Sequence, residues 1–195
     1  LDPKHPLVRL ALAQHELSLD HPALALGLVE PLLQEKPDFA GAWLVKARAL
    51  EALGERVASQ RTVEQAFSRL HLVPIVAREA IGVSRRRDRI TEAMARARMA
   101  LSLRFDDTTT RRSLAAMLAD LGQVTEAIDQ YKKVLALDPL DLGTVLRLAE
   151  LDAANGKVAE GRALFELARV LSPEEHDVHE REGKTLLHLG EKDAA

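Results

Sequence analysis

One period organises this chain of 195 residues. Stepping by 34 from Pro3 reaches Pro37, His71, Phe105, Pro139 and Pro173, and Leu1-Asp2-Pro3 recurs as Leu137-Asp138-Pro139. A second column runs Gly54, Asp88, Gly122, Gly156 and Gly190; a third, entirely of small residues, runs Ala25, Ser59, Ala93, Ala127 and Gly161. Three columns hold one spacing without an insertion. A period of this length means repeated supersecondary units, each unable to bury its apolar side alone.

Inside a unit the apolar residues fall at i, i+3, i+4 and i+7, the helical spacing. Leu114, Ala115, Met117, Leu118 and Leu121 form one face and Gly122 interrupts it; Ala127, Ile128, Tyr131, Val134 and Leu135 form a second, closed by Pro139. Glycine at the first break suits a left-handed C-terminal cap, and proline after the second face stops a helix from continuing. Asp106 or Asp107, and Asp141, are placed to accept hydrogen bonds from the free amides of the next helix. The small column lets paired helices approach, and Tyr131 and Phe165 fill the gap to the next unit. Leu and Ala supply about a third of the chain, against four Ile and six aromatic residues, a balance that favours helices over strands.

These residues resemble the tetratricopeptide repeat family. Trp43, Ala47, Gly54 and Ala66 fit its pattern in one unit. Leu114, Ala115, Ala127, Tyr131 and Pro139 fit it in another, and Leu148, Ala149, Phe165, Ala168 and Pro173 in a third. The resemblance implies an all-α, right-handed superhelical solenoid of antiparallel helix pairs. The repeats are then 6–39, 40–73, 74–107, 108–141, 142–175 and a partial 176–195, forming one array over 1–195 that is cut from a longer protein. The third repeat is degenerate, with Asp88 at the turn, Ala97 where an aromatic is expected, and Phe105 in place of proline. Pro31 should kink or distort the second helix of the first repeat.

The resemblance also implies an inner groove lined by the first helix of each repeat, at its second, fifth, sixth, ninth, twelfth and thirteenth positions. The fifth-position column reads Leu10, Leu44, Arg78, Arg112, Leu146 and Glu180, with Leu7, Leu17 and Val45 nearby and Asp177 late. Arg48, Arg78, Arg85, Arg86, Arg112 and Arg147 face Glu51, Glu79, Asp120 and Glu150 in the middle repeats. Residues 78–112 carry 10 basic and 5 acidic side chains, and residues 113–195 carry 9 and 16. Two readings stand. Arg78, Arg85 and Arg112 pair with Glu79 and Asp120 and bind nothing, as solvated charge usually does. Alternatively, Leu10 and Leu44 offer apolar contacts while Arg48, Arg78, Arg85, Arg112 and Arg147 hold carboxylates of a partner peptide, the planar guanidinium being suited to that.

Other chemistry finds little support. The chain lacks cysteine, and its net charge of −3 disfavours a whole-domain nucleic-acid binder. The cluster Arg85-Arg86-Arg87-Asp88-Arg89 has no interleaved aromatics for stacking on bases. Apolar stretches such as 22–29 and 72–77 are too short to insert in a membrane. His176 and His179 have a metal-compatible spacing but no third histidine nearby, so neither metal nor cofactor is expected. Gly82-Val83-Ser84 lacks the closing glycine of a nucleophile elbow, since Arg86 stands there, and Gly156-Lys157 lacks a P-loop's first glycine. Met94 and Met99 read as core filler. The family's carboxylate clamp needs groove asparagine, as does the asparagine ladder of members fused to sugar transferases; Asn155, the one asparagine, lies at a turn.

The reading is a non-catalytic scaffold that binds a protein or peptide. Its alternatives are a docking domain of a larger enzyme and a periplasmic scaffold for envelope or polysaccharide-export machinery. Self-association through open repeat ends is a further possibility. The compartment, cytoplasmic or periplasmic, is left open, and the excess of Arg over Lys (19 to 8) points to a GC-rich bacterial genome.

Overall fold

A computed structural model describes residues 5–173 and 176–188, so Leu1-Asp2-Pro3, Glu175, Gly190 and the end of the partial repeat at Ala195 lie outside the described residues. The described residues form eleven α-helices. The first helices of the pairs are α1 (Pro6–Ser18), α3 (Ala40–Ala52), α5 (Pro74–Arg86), α7 (Thr108–Asp120), α9 (Leu142–Ala154) and α11 (His176–His188). The second helices are α2 (Pro22–Glu35), α4 (Arg56–Leu70), α6 (Ile90–Leu103), α8 (Val124–Leu137) and α10 (Val158–Leu171). Within each series every helix starts 34 residues after the last. The fold is an all-α repeat of helix pairs.

The turn inside each pair is built one way. Asp20, Gly54, Asp88, Gly122 and Gly156 take positive φ, from 56° to 84°. The next residue's amide then donates back across the turn: His21 to Glu16, Glu55 to Leu50, Arg89 to Ser84, Gln123 to Leu118 and Lys157 to Asp152, all at 2.8–2.9 Å. This bond satisfies a carbonyl that the helix end would otherwise orphan. The aspartate in the third repeat therefore changes the residue and keeps the turn, because a short polar side chain tolerates the left-handed conformation better than most. Asp107, rather than Asp106, caps α7 by accepting from the Thr110 amide, and Asp141 caps α9 by accepting from Thr144, each at 3.1 Å.

The chain divides into two compact units, Leu1–Arg104 and Phe105–Ala195. In the first, each helix packs on its successor from α1 to α6, and α1 and α5 also touch α3. Its core joins Ala13, Ala25, Val29, Leu32, Ala42, Val45 and Ala49, with a second cluster of Ala47, Val63, Ala80 and Val83 beside Phe67. In the second, α7 packs on α8, α8 on α9, α9 on α10, and α11 on both α9 and α10. There Tyr131 and Phe165 are buried among Ala115, Ile128 and Leu148, and among Val145, Leu146, Ala149 and Ala168, respectively.

The small column is buried throughout. At Gly161 the reason is steric: an added Cβ would stand 2.8 Å from the Ala149 carbonyl oxygen and 2.9 Å from the Ala153 Cβ. Pro31 does not end its helix: α2 runs through it to Glu35 and keeps the 14-residue length shared by α6, α8 and α10.

Candidate functional site

The first helices carry the residues expected to meet a partner, and their side chains divide into three kinds. Leu10 and Leu44 are packing residues. Leu44 is 6% exposed and Leu146, in the same column, 2%. Leu10 is half-buried against the α1–α3 core, and its Cδ2 lies 2.7 Å from where a Cβ on Gly41 would stand. The fifth position thus faces the neighbouring repeat, and only a residue too polar to be buried there, such as Arg78, stays exposed. Leu44 offers no apolar surface, which corrects the expectation, whereas Leu7 at 60% exposure does.

The second kind is the tied arginine, found in the Phe105–Ala195 unit. Arg112 Nη1 donates to both oxygens of Asp141, at 2.8 and 3.2 Å, and that carboxylate also caps α9. Arg147 donates to Glu150 at 2.9 Å, while Arg181 Nε reaches the other oxygen of Glu150 at 2.6 Å. Burial works against charge on Arg147, but its hydrogen bond and attraction to Glu150 outweigh it, and the guanidinium holds its proton more tightly than usual. Burial likewise raises the pKa of the Tyr131 phenol, opposed by its hydrogen bond to Arg147. Both arginines already hold a carboxylate.

The third kind sits in the Leu1–Arg104 unit. Arg48 on α3 and Arg85 on α5 are exposed, and no hydrogen bond or ion pair engages either guanidinium among the described residues. The two helices are in contact. Nearby Glu79 pairs with Arg86, at 3.4 Å. The basic cluster after α5 is likewise partly neutralised, with Arg89 on Glu92 at 3.3 Å.

Some features could not be read from the letters. Arg96 lies over the Phe67 ring at 4.6 Å and donates to Glu64 at 2.7 and 3.2 Å, to Glu92 at 2.5 Å and to the Ala80 carbonyl at 3.0 Å. It ties α6 to α4 and α5 through these contacts. Asp152 is buried with Oδ1 lacking a hydrogen-bond partner, 4.0 Å from Lys157 Nζ. Surface cavities of about 540 Å³ beside Trp43, about 500 Å³ beside Phe39 and about 380 Å³ beside Ser59 all lie in the Leu1–Arg104 unit.

The side chain of His176 lies outside the described residues, and His179 is exposed. Among the described residues no three His, Asp or Glu side chains converge as a metal site, and no helix is long and apolar enough to cross a membrane. Met94 is buried in the core and Met99 half-buried.

Residues 118–180 match the tetratricopeptide repeat family model. No curated protein matches the chain. Among solved structures, PilW, described as a widely conserved type IV pilus biogenesis factor, is 21% identical with a TM-score of 0.79, covering 98% of this chain and 89% of that one. PilF of Pseudomonas aeruginosa is 16% identical with a TM-score of 0.77, over 97% and 86%. YrrB, described as a TPR protein with an unusual peptide-binding site, is 16% identical with a TM-score of 0.72, over 94% of each chain. At such identities the likeness is one of fold, and it extends well beyond the 118–180 segment. Residues 118–180 thus carry the tetratricopeptide repeat signature, and the same helix pair recurs at the same period from Pro6 onward.

Proposed function

We propose that the chain is a non-catalytic scaffold whose α1, α3 and α5 face binds an extended segment of a partner protein bearing acidic and apolar side chains. The observation that carries this reading is the pair of unpartnered guanidinium groups, Arg48 and Arg85, on two helices in contact. An arginine without a protein carboxylate is solvated until a partner supplies one, and a bidentate guanidinium–carboxylate pair adds geometric selectivity to charge. Exposed Leu7 on α1 supplies apolar surface on the same series of helices. Arg78 joins this face as a positioning charge; Arg112 and Arg147 would contribute only by exchanging their present carboxylates for a partner's. The peptide-binding site named for YrrB, a protein of the same fold, is consistent with such a use.

The test is capture of partners from a lysate on the immobilised chain, comparing the native protein with an Arg48→Glu/Arg85→Glu variant of equal helicity. A partner held by the native chain and released by the variant supports the reading. Equal capture by both overturns it. A second reading, a scaffold for envelope machinery, is favoured by the likeness to the pilus biogenesis factor PilW. Recovery of envelope-assembly proteins in the same capture would support it.

A further inference from the structure

The cavity of about 380 Å³ sits where the C-terminal ends of α3 and α5 meet the first turn of α4, and Glu51, Arg56, Ser59, Gln60 and Arg86 line it. In the small column Ser59 is the one hydroxyl among alanine and glycine. The residue is 6% exposed and lines the cavity, and no hydrogen bond engages its hydroxyl among the described residues. The hydroxyl oxygen is open to the cavity, so water or an entering ligand satisfies it. The other positions in the column show that alanine would pack there as well, so packing alone does not call for the oxygen.

Around that hydroxyl the donors converge. Arg56 and Gln60 rise from α4, and Arg86 comes from the end of α5. The α4 N-terminus has no side-chain cap, and the Val57 and Ala58 amides in its first turn have no backbone acceptor. Free amides and the helix dipole together favour an anion at that end. Glu51 is the opposing charge in the wall, and Arg86 keeps its long contact with Glu79 outside it.

We propose that this cavity takes a single carboxylate of the bound partner. The hydroxyl of Ser59, the Gln60 amide and the Arg56 guanidinium would donate to its oxygens, with Arg86 as the second cation. Two guanidinium groups against one glutamate leave a lining of +1, which matches a monoanion and not a doubly charged phosphate. The proposal rests on the partner-binding reading above, and extends the binding face from the first helices to the start of α4.

The full chain is titrated with N-acetyl-glutamic acid amide, its neutral glutamine counterpart and inorganic phosphate, followed by the backbone amide signals of residues 56–60. The expected result is saturable binding of the capped glutamate and none of the glutamine. Ser59→Ala, which matches the rest of its column, and Arg56→Gln should each weaken binding about tenfold, the loss of one charge-assisted hydrogen bond. Lys133→Gln, on α8, should leave it unchanged.

Unaltered binding in Ser59→Ala and Arg56→Gln overturns the proposal. So does an equal loss of binding in Lys133→Gln. Tighter binding of phosphate overturns the assignment to a carboxylate. Saturable glutamate binding at residues 56–60, with lysate capture indifferent to Arg48→Glu/Arg85→Glu, would sink the broader reading while keeping the cavity.

Discussion

The Leu1–Arg104 and Phe105–Ala195 units use one repeat and treat two pairs of inner-face arginines in opposite ways. Arg112 and Arg147 each hold a carboxylate from their own unit, whereas Arg48 and Arg85 hold none. A column of arginines is therefore not yet a binding surface. What counts is whether an acid has already been brought to it. In the second unit one has: Asp141 at the start of α9 for Arg112, and for Arg147 its own helix's Glu150, which Arg181 shares. An ion pair of this kind, half-exposed, is worth no more than about 1 kcal/mol, but it removes the charge from a partner's reach.

The contrast can be broken from either side. The largest effect should come from the packing of the small column: Gly161→Ala forces a methyl against the Ala149 carbonyl and is expected to cost about 1–3 kcal/mol. The equivalent Ser59→Ala should cost well under that, and urea denaturation of the two variants compares them directly. Next is Asp141→Ala, which removes the α9 cap and frees Arg112 at once. It should cost about 1–2 kcal/mol and give the second unit a new capacity to bind acidic peptides, readable by calorimetric titration with a short Glu-containing peptide.

Glu150→Gln is milder. Stability should fall by less than about 1 kcal/mol, while Arg147 loses its carboxylate and the same peptide binds more tightly than to the native chain. If it does not, paired and unpaired arginines are functionally alike and the distinction between the units fails. The smallest expected change is Asp88→Gly, which relieves a positive φ of 56°. A gain of about 0.5–1 kcal/mol is expected in thermal unfolding, with no change in peptide binding.

Much of the architecture was legible in the letters because it is decided locally. Proline, glycine and small-residue columns act through their own backbone geometry or through contacts within one helix pair. Even Asp88, read as degeneracy, takes the left-handed turn its column demands. Pro31 does not break its helix, because a helix packed on both α1 and α3 tolerates one missing backbone hydrogen bond. Leu44 misled for a related reason: a leucine in a groove column reads as surface until a neighbouring helix is seen to cover it.

The sequence by itself determined the repeat, its period, the helix pairs and the polarity of each face, since each depends on residues a turn or two apart. Tertiary structure decided which charges remain available. Arg112 finds Asp141 across 29 positions and Arg181 finds Glu150 across 31, distances close to one repeat, which only stacking brings within reach. The Ser59 cavity belongs to the same class, formed where two first helices end beside the start of a second. Spacing along the chain sets which residues share a face; the neighbour's side chains then determine which of those residues are left for a partner.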